Sequence, residues 1–192
     1  MQQNLPRLIL AGTNSGCGKT TVTCAVLQAL VNRSLSVAAA KCGPDYIDPM
    51  FHSRIIGAKS SNLDPFFFDE NTLRFLLAQN ASGCDVTVIE GVMGYYDGLG
   101  LTSTRASTYE LAQKTVSPVV LVVNARGAAL SVLASVRGFL DFLPESEALS
   151  AKKLLASPNL IILKAFTKLY GMAGVRLGYC LCSNTALLDK MQ

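Results

Sequence analysis

Histidine is nearly missing from this sequence, and its scarcity excludes several kinds of active site. The 192 residues contain one histidine, His52, and no tryptophan. A single imidazole excludes a histidine-rich metal site, and nothing around it resembles a Ser-His-Asp triad. The six cysteines are scattered without a CxxC pair, so the spacing of a zinc site is also missing. We therefore expect free thiols and a reducing, cytoplasmic setting.

Long apolar runs and runs of like charge are missing as well. No apolar stretch approaches the roughly 20 residues that cross a bilayer. The opening MQQNLPRLILAGT lacks the features of a secretion leader, which we therefore do not expect. The formal net charge of +4 is mild and is not concentrated in a Lys/Arg cluster. The sequence thus indicates neither a membrane nor a nucleic-acid partner.

Strand-like and helix-like segments alternate along the first 140 residues. Half of the sequence is hydrophobic and 16% is charged, which is enough apolar side chain for a packed core. The predicted strands are Leu8–Ala11, Val37–Ala40, Asp85–Glu90 and Val119–Val123. The predicted helices are Lys19–Asn32, Asn71–Gln79 and Thr108–Lys114. This alternation predicts an α/β fold, in which helices cover both faces of a mostly parallel sheet and ligands bind at the carboxyl ends of the strands.

A glycine-rich loop between the first strand and the first helix is the strongest local signal. It comprises Gly12, Thr13, Asn14, Ser15, Gly16, Cys17, Gly18, Lys19, Thr20 and Thr21. In such loops backbone N–H groups converge on phosphate oxygens, a lysine reaches the outer phosphates and a Ser/Thr hydroxyl binds Mg²⁺. Five residues separate Gly12 from Gly18, one more than in the common pattern. The alternative is a glycine-rich turn with a surface lysine.

Two acidic groups follow predicted strands and are candidates for a Mg-phosphate site. Asp45 and Asp48 lie just beyond Lys41, after the second strand. Glu90 ends the third strand, and Asp97 lies in the loop that follows it. Carboxylates hold Mg²⁺ beside substrate phosphates, and an ammonium neutralises the group being transferred. The alternatives are a helix-capping Asp-x-x-Asp turn for the first group and a simple Asp-Gly turn for Asp97.

Four motifs in order resemble one enzyme family. AGTNSGCGKTTVT, KCGPDYIDPMFH, NLDPF and EGVMGYYDG are similar to the amino-terminal domain of cobyrinic acid a,c-diamide synthases, over about residues 5–140. The resemblance implies a P-loop NTPase-like fold of the dethiobiotin synthetase/MinD kind, here with a truncated sheet. It also implies ATP and Mg²⁺ as cofactors and cobyrinic acid as a small-molecule substrate. In the implied reaction, two side-chain carboxylates of cobyrinic acid become amides through an acyl phosphate. The oligomeric state stays open, and a homodimer is one alternative.

Carried over by motif, the resemblance assigns roles to individual residues. Residues 12–21 would hold ATP, and the metal would be bound by Thr20, Asp45 and Glu90. Catalysis and charge neutralisation would involve Lys19, Lys41, Asp45, Asp48 and Asp97. The Asn62–Asp64 turn would lie nearby. Asn124 departs from the family, which usually has an aspartate after the fourth strand.

The last 50 residues resemble a different family, and within them we predict a helix at 144–157 and a strand at 160–163. KAFTKLYGMAGVRLGY is similar to the cofactor-lysine segment of PLP-dependent aminotransferases, in which Lys168 would form the Schiff base and Arg176 would hold the cofactor phosphate. The aspartate expected to contact the pyridine nitrogen is missing, so we interpret both residues as a basic surface. We therefore divide the chain into a domain at 1–140 and an appended fragment at 141–192, and hypothesise a chimera joined near Gly138–Phe142.

Three functions are compatible with this sequence. The first is an ATP-dependent amide-forming ligase domain, in full or truncated form; no glutaminase segment is recognisable, and its ammonia source stays open. The second is a catalytically inactive fragment that binds nucleotide. The third is a partner-switching ATPase of the MinD/ParA type, which carries a signature lysine where Asn14 stands here.

Overall fold

The computed structural model of the chain describes residues 5–100 and 103–142, together with the backbone of two strands at 161–165 and 178–182. The chain divides into two compact units, Met1–Val119 and Val120–Gln192. None of the helices in the described ranges is long and apolar enough to cross a bilayer.

The first unit contains a parallel sheet of four complete strands. These are β1 (Arg7–Gly12), β2 (Val37–Cys42), β3 (Lys59–Leu63) and β4 (Val86–Glu90), in the order β3-β2-β4-β1. In the register between β2 and β4, Lys41 lies opposite Glu90. Because paired residues of neighbouring strands project from the same face of a sheet, the fold brings this ammonium and this carboxylate together.

Helices of the first unit cover the sheet on opposite faces. They are α1 (Lys19–Asn32), α2 (Ile47–Phe51) with a π-helix (His52–Ile56) directly after it, α3 (Glu70–Ala81) and α4 (Thr108–Thr115). The connection from β1 through α1 to β2 runs toward the β3 edge of the sheet. The connection from β3 through α3 to β4 runs the opposite way, toward β1. Because both crossovers are expected to be right-handed, α1 lies on one face and α3 on the other, where α3 packs against α4.

Local capping explains where two of these helices begin. The Asp69 carboxylate accepts a hydrogen bond from Thr72 N at 2.8 Å, one turn into α3. The Ser107 hydroxyl accepts one from Glu110 N at 3.1 Å, one turn into α4. Each side chain satisfies an N–H that has no partner inside the helix. The core between the layers is fully buried and aliphatic, and it includes Ile9, Leu27, Leu73, Ile89 and Leu111.

The second unit contains most of β5 (Val119–Val122), then α5 (Ser131–Asp141), β6 (Ile161–Ala165) and β7 (Gly178–Cys182). β5 pairs in parallel with β6, and β6 pairs antiparallel with β7. The sequence predicted a strand at Leu160–Leu163, which overlaps β6. The helix predicted at 144–157 and the residues Lys168 and Arg176 lie outside the described residues.

The predicted α/β class is confirmed, and the differences concern boundaries. The prediction ended the second strand at Ala40 and placed Lys41 beyond it, which is wrong. Lys41 and Cys42 belong to β2, because Lys41 pairs with Glu90 of β4 and Cys42 with Leu63 of β3. The edge strand β3 was not predicted, because its sequence KSSNL contains a single apolar residue.

Candidate functional site

The glycine-rich loop folds tightly around its own side chains. At Gly12 a β-carbon would lie 2.3 Å from Cys17 Sγ and 2.9 Å from the Lys19 side chain, so a larger residue there would displace both side chains. Thr13 Oγ1 donates to Asn14 Oδ1 at 2.9 Å. The Asn14 amide donates to Ser15 O at 2.7 Å. Residues 12–18 thus form a compact loop at the carboxyl end of β1, and α1 starts at its far end.

Lys19 connects this loop to the loop that follows β4. Its side chain is buried, and Nζ donates to Asn14 O at 3.3 Å and to Met93 O at 2.6 Å. Met93 has a positive φ of 49°, which is uncommon for a residue with a side chain and directs its carbonyl to the ammonium. The backbone is also joined, because Tyr95 N donates to Gly12 O at 2.8 Å. The loops after β1 and β4 therefore share one lysine.

Thr20 and Glu90 form the central contact of the site. The Thr20 hydroxyl donates to Glu90 Oε1 at 2.5 Å, joining the start of α1 to the end of β4. Glu90 is fully buried, whereas Thr20 is exposed. The prediction placed these two residues together because parallel strands end at the same edge of a sheet, and the structure does bring them together.

Lys41 joins three carboxylates to this contact. Its Nζ lies 2.8 Å from Glu90 Oε1, 2.6 Å from Asp48 Oδ2 and 3.9 Å from Asp45 Oδ2. Burial lowers the pKa of Lys41, but its hydrogen bonds to Asp48 and Glu90 outweigh burial, so that this pKa is raised above its ordinary value. Three carboxylates and one ammonium leave a formal charge of −2, which a divalent cation would balance.

The sequence left open whether Asp45 and Asp48 cap a helix or belong to the charged site, and the structure gives the two carboxylates different contacts. Asp45 Oδ1 accepts from Ile47 N at 2.9 Å, so this carboxylate caps the short helix α2, while its Oδ2 lies toward Lys41. Asp48 instead directs its carboxylate to the Lys41 ammonium. The Asn62 amide fixes the same segment by donating to Gly43 O at 2.8 Å and to Asp45 O at 2.7 Å.

Asp97 is engaged within its own loop. Its Oδ2 accepts from Gly94 N at 2.8 Å, and Asp97 N donates to Gly94 O at 3.0 Å. At Gly94 a β-carbon would lie 2.4 Å from this carboxylate and 3.0 Å from Thr13 O, so glycine is required for the close approach. Asp97 therefore shapes the loop that supports Lys19. Asp64, in the predicted turn, is buried and accepts from Phe66 N.

The oxygen ligands around Thr20 fit Mg²⁺ better than a transition metal. The available donors are a hydroxyl and carboxylates, and the Thr20 hydroxyl lies 2.5 Å from Glu90 Oε1. Hard oxygen ligands suit Mg²⁺, which usually binds one or two carboxylates together with substrate phosphates. In the described part of the chain no group of three or more His, Cys, Asp or Glu side chains is arranged to hold a metal ion. A cation here would therefore depend on phosphate oxygens as well.

His52 is a functional candidate that the sequence reasoning missed. It lies at the first position of the π-helix, is fully buried, and places Nε2 3.5 Å from Glu90 Oε2. The sequence did contain a signal, because Asp48 and His52 are four residues apart in one helical segment and therefore share a face.

The buried thiol of Cys42 gives a pH prediction. Burial raises the pKa of Cys42 from 9.0 to about 12. The unfolded chain therefore releases this proton first, so the stability that the thiol contributes is complete below pH 9 and is lost as pH rises toward 12. We expect the free energy of unfolding to fall with a slope of up to about 1.4 kcal/mol per pH unit from this group. Denaturant unfolding of the wild type and Cys42→Ala between about pH 8 and 10.5 checks it. A difference between the two proteins that does not vary with pH would contradict the prediction.

Comparison with known proteins identifies similar domains. The family described as "CobQ/CobB/MinD/ParA nucleotide binding domain" matches residues 8–158. The chain is 49% identical over 138 residues to the cobyrinate a,c-diamide synthase of Thermoplasma volcanium, covering 72% of this chain and 30% of that protein. It is 44% identical over 141 residues to the hydrogenobyrinate a,c-diamide synthase of Streptomyces coelicolor, covering 73% of this chain and 29% of that protein. The chain thus spans about 30% of the length of these relatives.

The tail and the fold have matches of their own. Residues 136–192 match the family "Aminotransferase class I and II", which overlaps the first match at 136–158. Among solved structures, the signal recognition particle receptor FtsY from Elizabethkingia anophelis matches with a TM-score of 0.51 and 17% identity, covering 72% of this chain and 47% of that chain. Chloroplast FtsY from Physcomitrella patens matches with the same TM-score and 15% identity, over the same shares of both chains. These likenesses support the P-loop NTPase-like fold alone.

Proposed function

Because the chain belongs to the CobQ/CobB/MinD/ParA nucleotide-binding domain family, we propose that it binds Mg-ATP and directs the terminal phosphate onto carboxylates of cobyrinic acid. The reaction is the ATP-dependent part of a,c-diamide synthesis. The observation that carries the proposal is the chain of contacts from Thr20 to Glu90 to Lys41, beside the glycine-rich loop. It joins a hydroxyl, buried carboxylate and ammonium at the edge where nucleotides bind in such sheets.

Each residue of this chain of contacts has a part in the chemistry. When bound, Mg-ATP supplies the phosphoryl group that turns a substrate carboxylate into an acyl phosphate, which ammonia then attacks with phosphate leaving. Lys19 would neutralise the outer phosphates, and Thr20, Asp45 and Glu90 would hold the metal. Lys41 would neutralise the reacting carboxylate, and Asp48, which accepts a hydrogen bond from Lys41 at 2.6 Å, would keep this ammonium in position. Asp97 keeps its loop in place. Most of this is positioning and charge neutralisation, which is how phosphoryl transfer is generally catalysed.

An exposed apolar surface beside the site suits a large ring-shaped substrate. It consists of two segments that follow β2 and β3, and we call it the apolar rim: Tyr46, Ile47, Met50, Phe51, Ile55, Phe66, Phe67 and Phe68. The α2 segment packs against β3, and Asn62 links the two backbones. Apolar patches next to polar sites commonly mark ligand surfaces. Ile47 is the residue before Asp48, so a corrin resting on the rim would present its carboxylates to Lys41.

The proposed partner is a small molecule, without nucleic acid. The mild positive charge of the chain is dispersed, while the site itself carries three carboxylates around one ammonium. Such a site repels a polyanion that lacks a bound cation. We propose cytoplasmic action.

A trapping experiment tests the function. The full chain is incubated with Mg-ATP, cobyrinic acid and hydroxylamine, which intercepts an acyl phosphate as a hydroxamate. Corrin-dependent formation of ADP and hydroxamate, and amide formation when ammonia replaces hydroxylamine, are the expected results. Binding of ATP without corrin-dependent ADP would exclude the ligase proposal and favour a non-catalytic nucleotide-binding fragment.

Substitution in the apolar rim is expected to weaken binding of the corrin and to leave binding of the nucleotide unchanged. Ile47 is 75% exposed, so its apolar side chain is free to contact a ligand. Burying such a side chain contributes about 1.5–3 kcal/mol, so Ile47→Ser should raise the KM for cobyrinic acid by about tenfold or more. Steady-state kinetics and ATP titration measure the two effects separately.

Phe75→Ser is the matched control, because Phe75 is 64% exposed on α3, a helix that contributes no residue to the rim. It should change neither constant. Equal effects of both substitutions on the KM for cobyrinic acid would contradict a corrin on the rim.

A further inference from the structure

The two oxygens of the Glu90 carboxylate have unequal surroundings. Oε1 accepts from Thr20 at 2.5 Å and from Lys41 at 2.8 Å. Oε2 is buried and has no hydrogen-bond partner among the described residues. Buried carboxylate oxygens are normally satisfied, so an oxygen left in this state needs an explanation.

His52 lies directly opposite this oxygen. Its Nε2 is 3.5 Å from Glu90 Oε2, and neither ring nitrogen has a hydrogen-bond partner within the described ranges. Both side chains are fully buried, so water does not offer an easy substitute. Two unsatisfied polar groups that face each other at this distance form a hydrogen bond after a shift of a few tenths of an ångström.

The π-helix explains how His52 reaches this position. This helix packs against both α1 and β3, and Ala58 N donates to His52 O at 2.9 Å, which holds its first residue. A π-turn widens the helix locally, and such turns are frequent at functional sites. His52 is thereby held next to the helix that begins with Lys19 and Thr20, and its Nε2 faces Glu90 at the end of β4.

We propose that His52 is a positioning residue, which donates Nε2–H to Glu90 Oε2 and so keeps Oε1 directed at Thr20. The contact itself depends only on this geometry, whereas its consequence for Mg²⁺ rests on the proposed function. Burial lowers the pKa of His52, which favours the neutral ring that such a donor requires. Residues that orient metal-binding side chains in this way tune the affinity for the metal.

Nuclear magnetic resonance tests the contact directly, because His52 is the one histidine in the chain. Long-range ¹H–¹⁵N correlation on the ¹⁵N-labelled full chain at about pH 8, where the ring is neutral, identifies which nitrogen carries the proton. We expect the Nε2–H tautomer, and a change of the ring signals in Glu90→Gln that Asp97→Asn does not produce. The Nδ1–H tautomer, or ring signals that ignore Glu90→Gln, would overturn the proposal.

Metal affinity tests the consequence. His52→Leu should raise the Mg²⁺ concentration that half-saturates ATP binding by about 10- to 100-fold. His52→Gln, whose amide nitrogen can replace Nε2, should recover most of this loss. The matched control is Asn80→Leu. Asn80 is another buried polar side chain, on α3, and its amide donates to Ala39 O at 2.8 Å. It should lower stability without changing the Mg²⁺ requirement.

Two results separate the possible failures. If His52→Leu and Asn80→Leu change the Mg²⁺ requirement equally, His52 is only structural and the proposal is wrong. If the wild type does not bind Mg-ATP, the proposed function fails, and the tautomer measurement alone decides whether His52 holds Glu90.

Discussion

Replacing Lys19 with methionine is expected to lower the affinity for ATP by about 10- to 100-fold. In the structure Lys19 Nζ is held by two backbone carbonyls, Asn14 O and Met93 O, at the point where the two loops meet. Hydrogen bonds that involve a charged group contribute about 1.5–3 kcal/mol, which corresponds to this loss of affinity. Methionine keeps most of the apolar length of the side chain and removes the ammonium. Isothermal titration with ATP in the presence of Mg²⁺ measures the change.

Lys59→Met is the control for this substitution. Lys59 begins β3 at the opposite end of the strands and donates to Gln79 O at 3.0 Å. Its replacement removes one positive charge from the chain without touching the loop. If both variants lose the same affinity, the effect of Lys19 is a general charge effect and Lys19 does not contact the phosphates.

Replacing Lys41 with methionine is expected to lower the free energy of unfolding by about 3–5 kcal/mol. Removing one partner of a buried ion pair leaves the other charge without compensation, and this cost is typically of that size. Glu90 is fully buried and would keep the Thr20 hydroxyl as a donor to Oε1, but without the ammonium that compensates its charge. Urea unfolding monitored by circular dichroism measures the loss.

Two further variants show whether the buried charge is the cause. Lys41→Met combined with Glu90→Gln removes both charges and should recover part of the stability. Lys114→Met breaks the more exposed pair with Glu110, where the two side chains are 23% and 25% exposed, and should cost about 1 kcal/mol or less. A loss in Lys41→Met no larger than that in Lys114→Met would contradict the prediction.

Elements with a strong apolar pattern could be predicted from the sequence, and the others could not. β1, β4 and α1 follow from β-branched runs and helical spacing, and their bounds agree within a few residues. The edge strand β3 is polar and forms because its backbone pairs with β2. A π-turn has no comparable sequence signature, so the segment after Phe51 could not be assigned. These elements depend on tertiary pairing that a local pattern does not contain.

For the candidate site, the sequence predicted which strand ends meet and could not predict how each carboxylate is used. The proximity of Thr20 to Glu90 follows from the parallel order of the strands. Whether Asp45 caps a helix or binds a cation depends on the path of its turn, and in the structure one oxygen caps while the other lies toward Lys41. Asp97 similarly supports its loop, so its part in catalysis stays a prediction, as does the chimeric junction near Gly138–Phe142.

The π-helix at His52–Ile56 also determines how this chain tolerates changes in length. An α-helix turns by about 100° for each residue. A π-turn holds one residue more than an ordinary helical turn. Deleting one residue among Ser53, Arg54 and Ile55 would let the widened turn close into an ordinary one, and the segment before it would keep its orientation. A second deletion would have no such reserve, so this segment would rotate by about that angle, and Asp48 would leave Lys41 while His52 left the Glu90 carboxylate. We therefore expect the chain to tolerate the loss of one residue here much better than the loss of two.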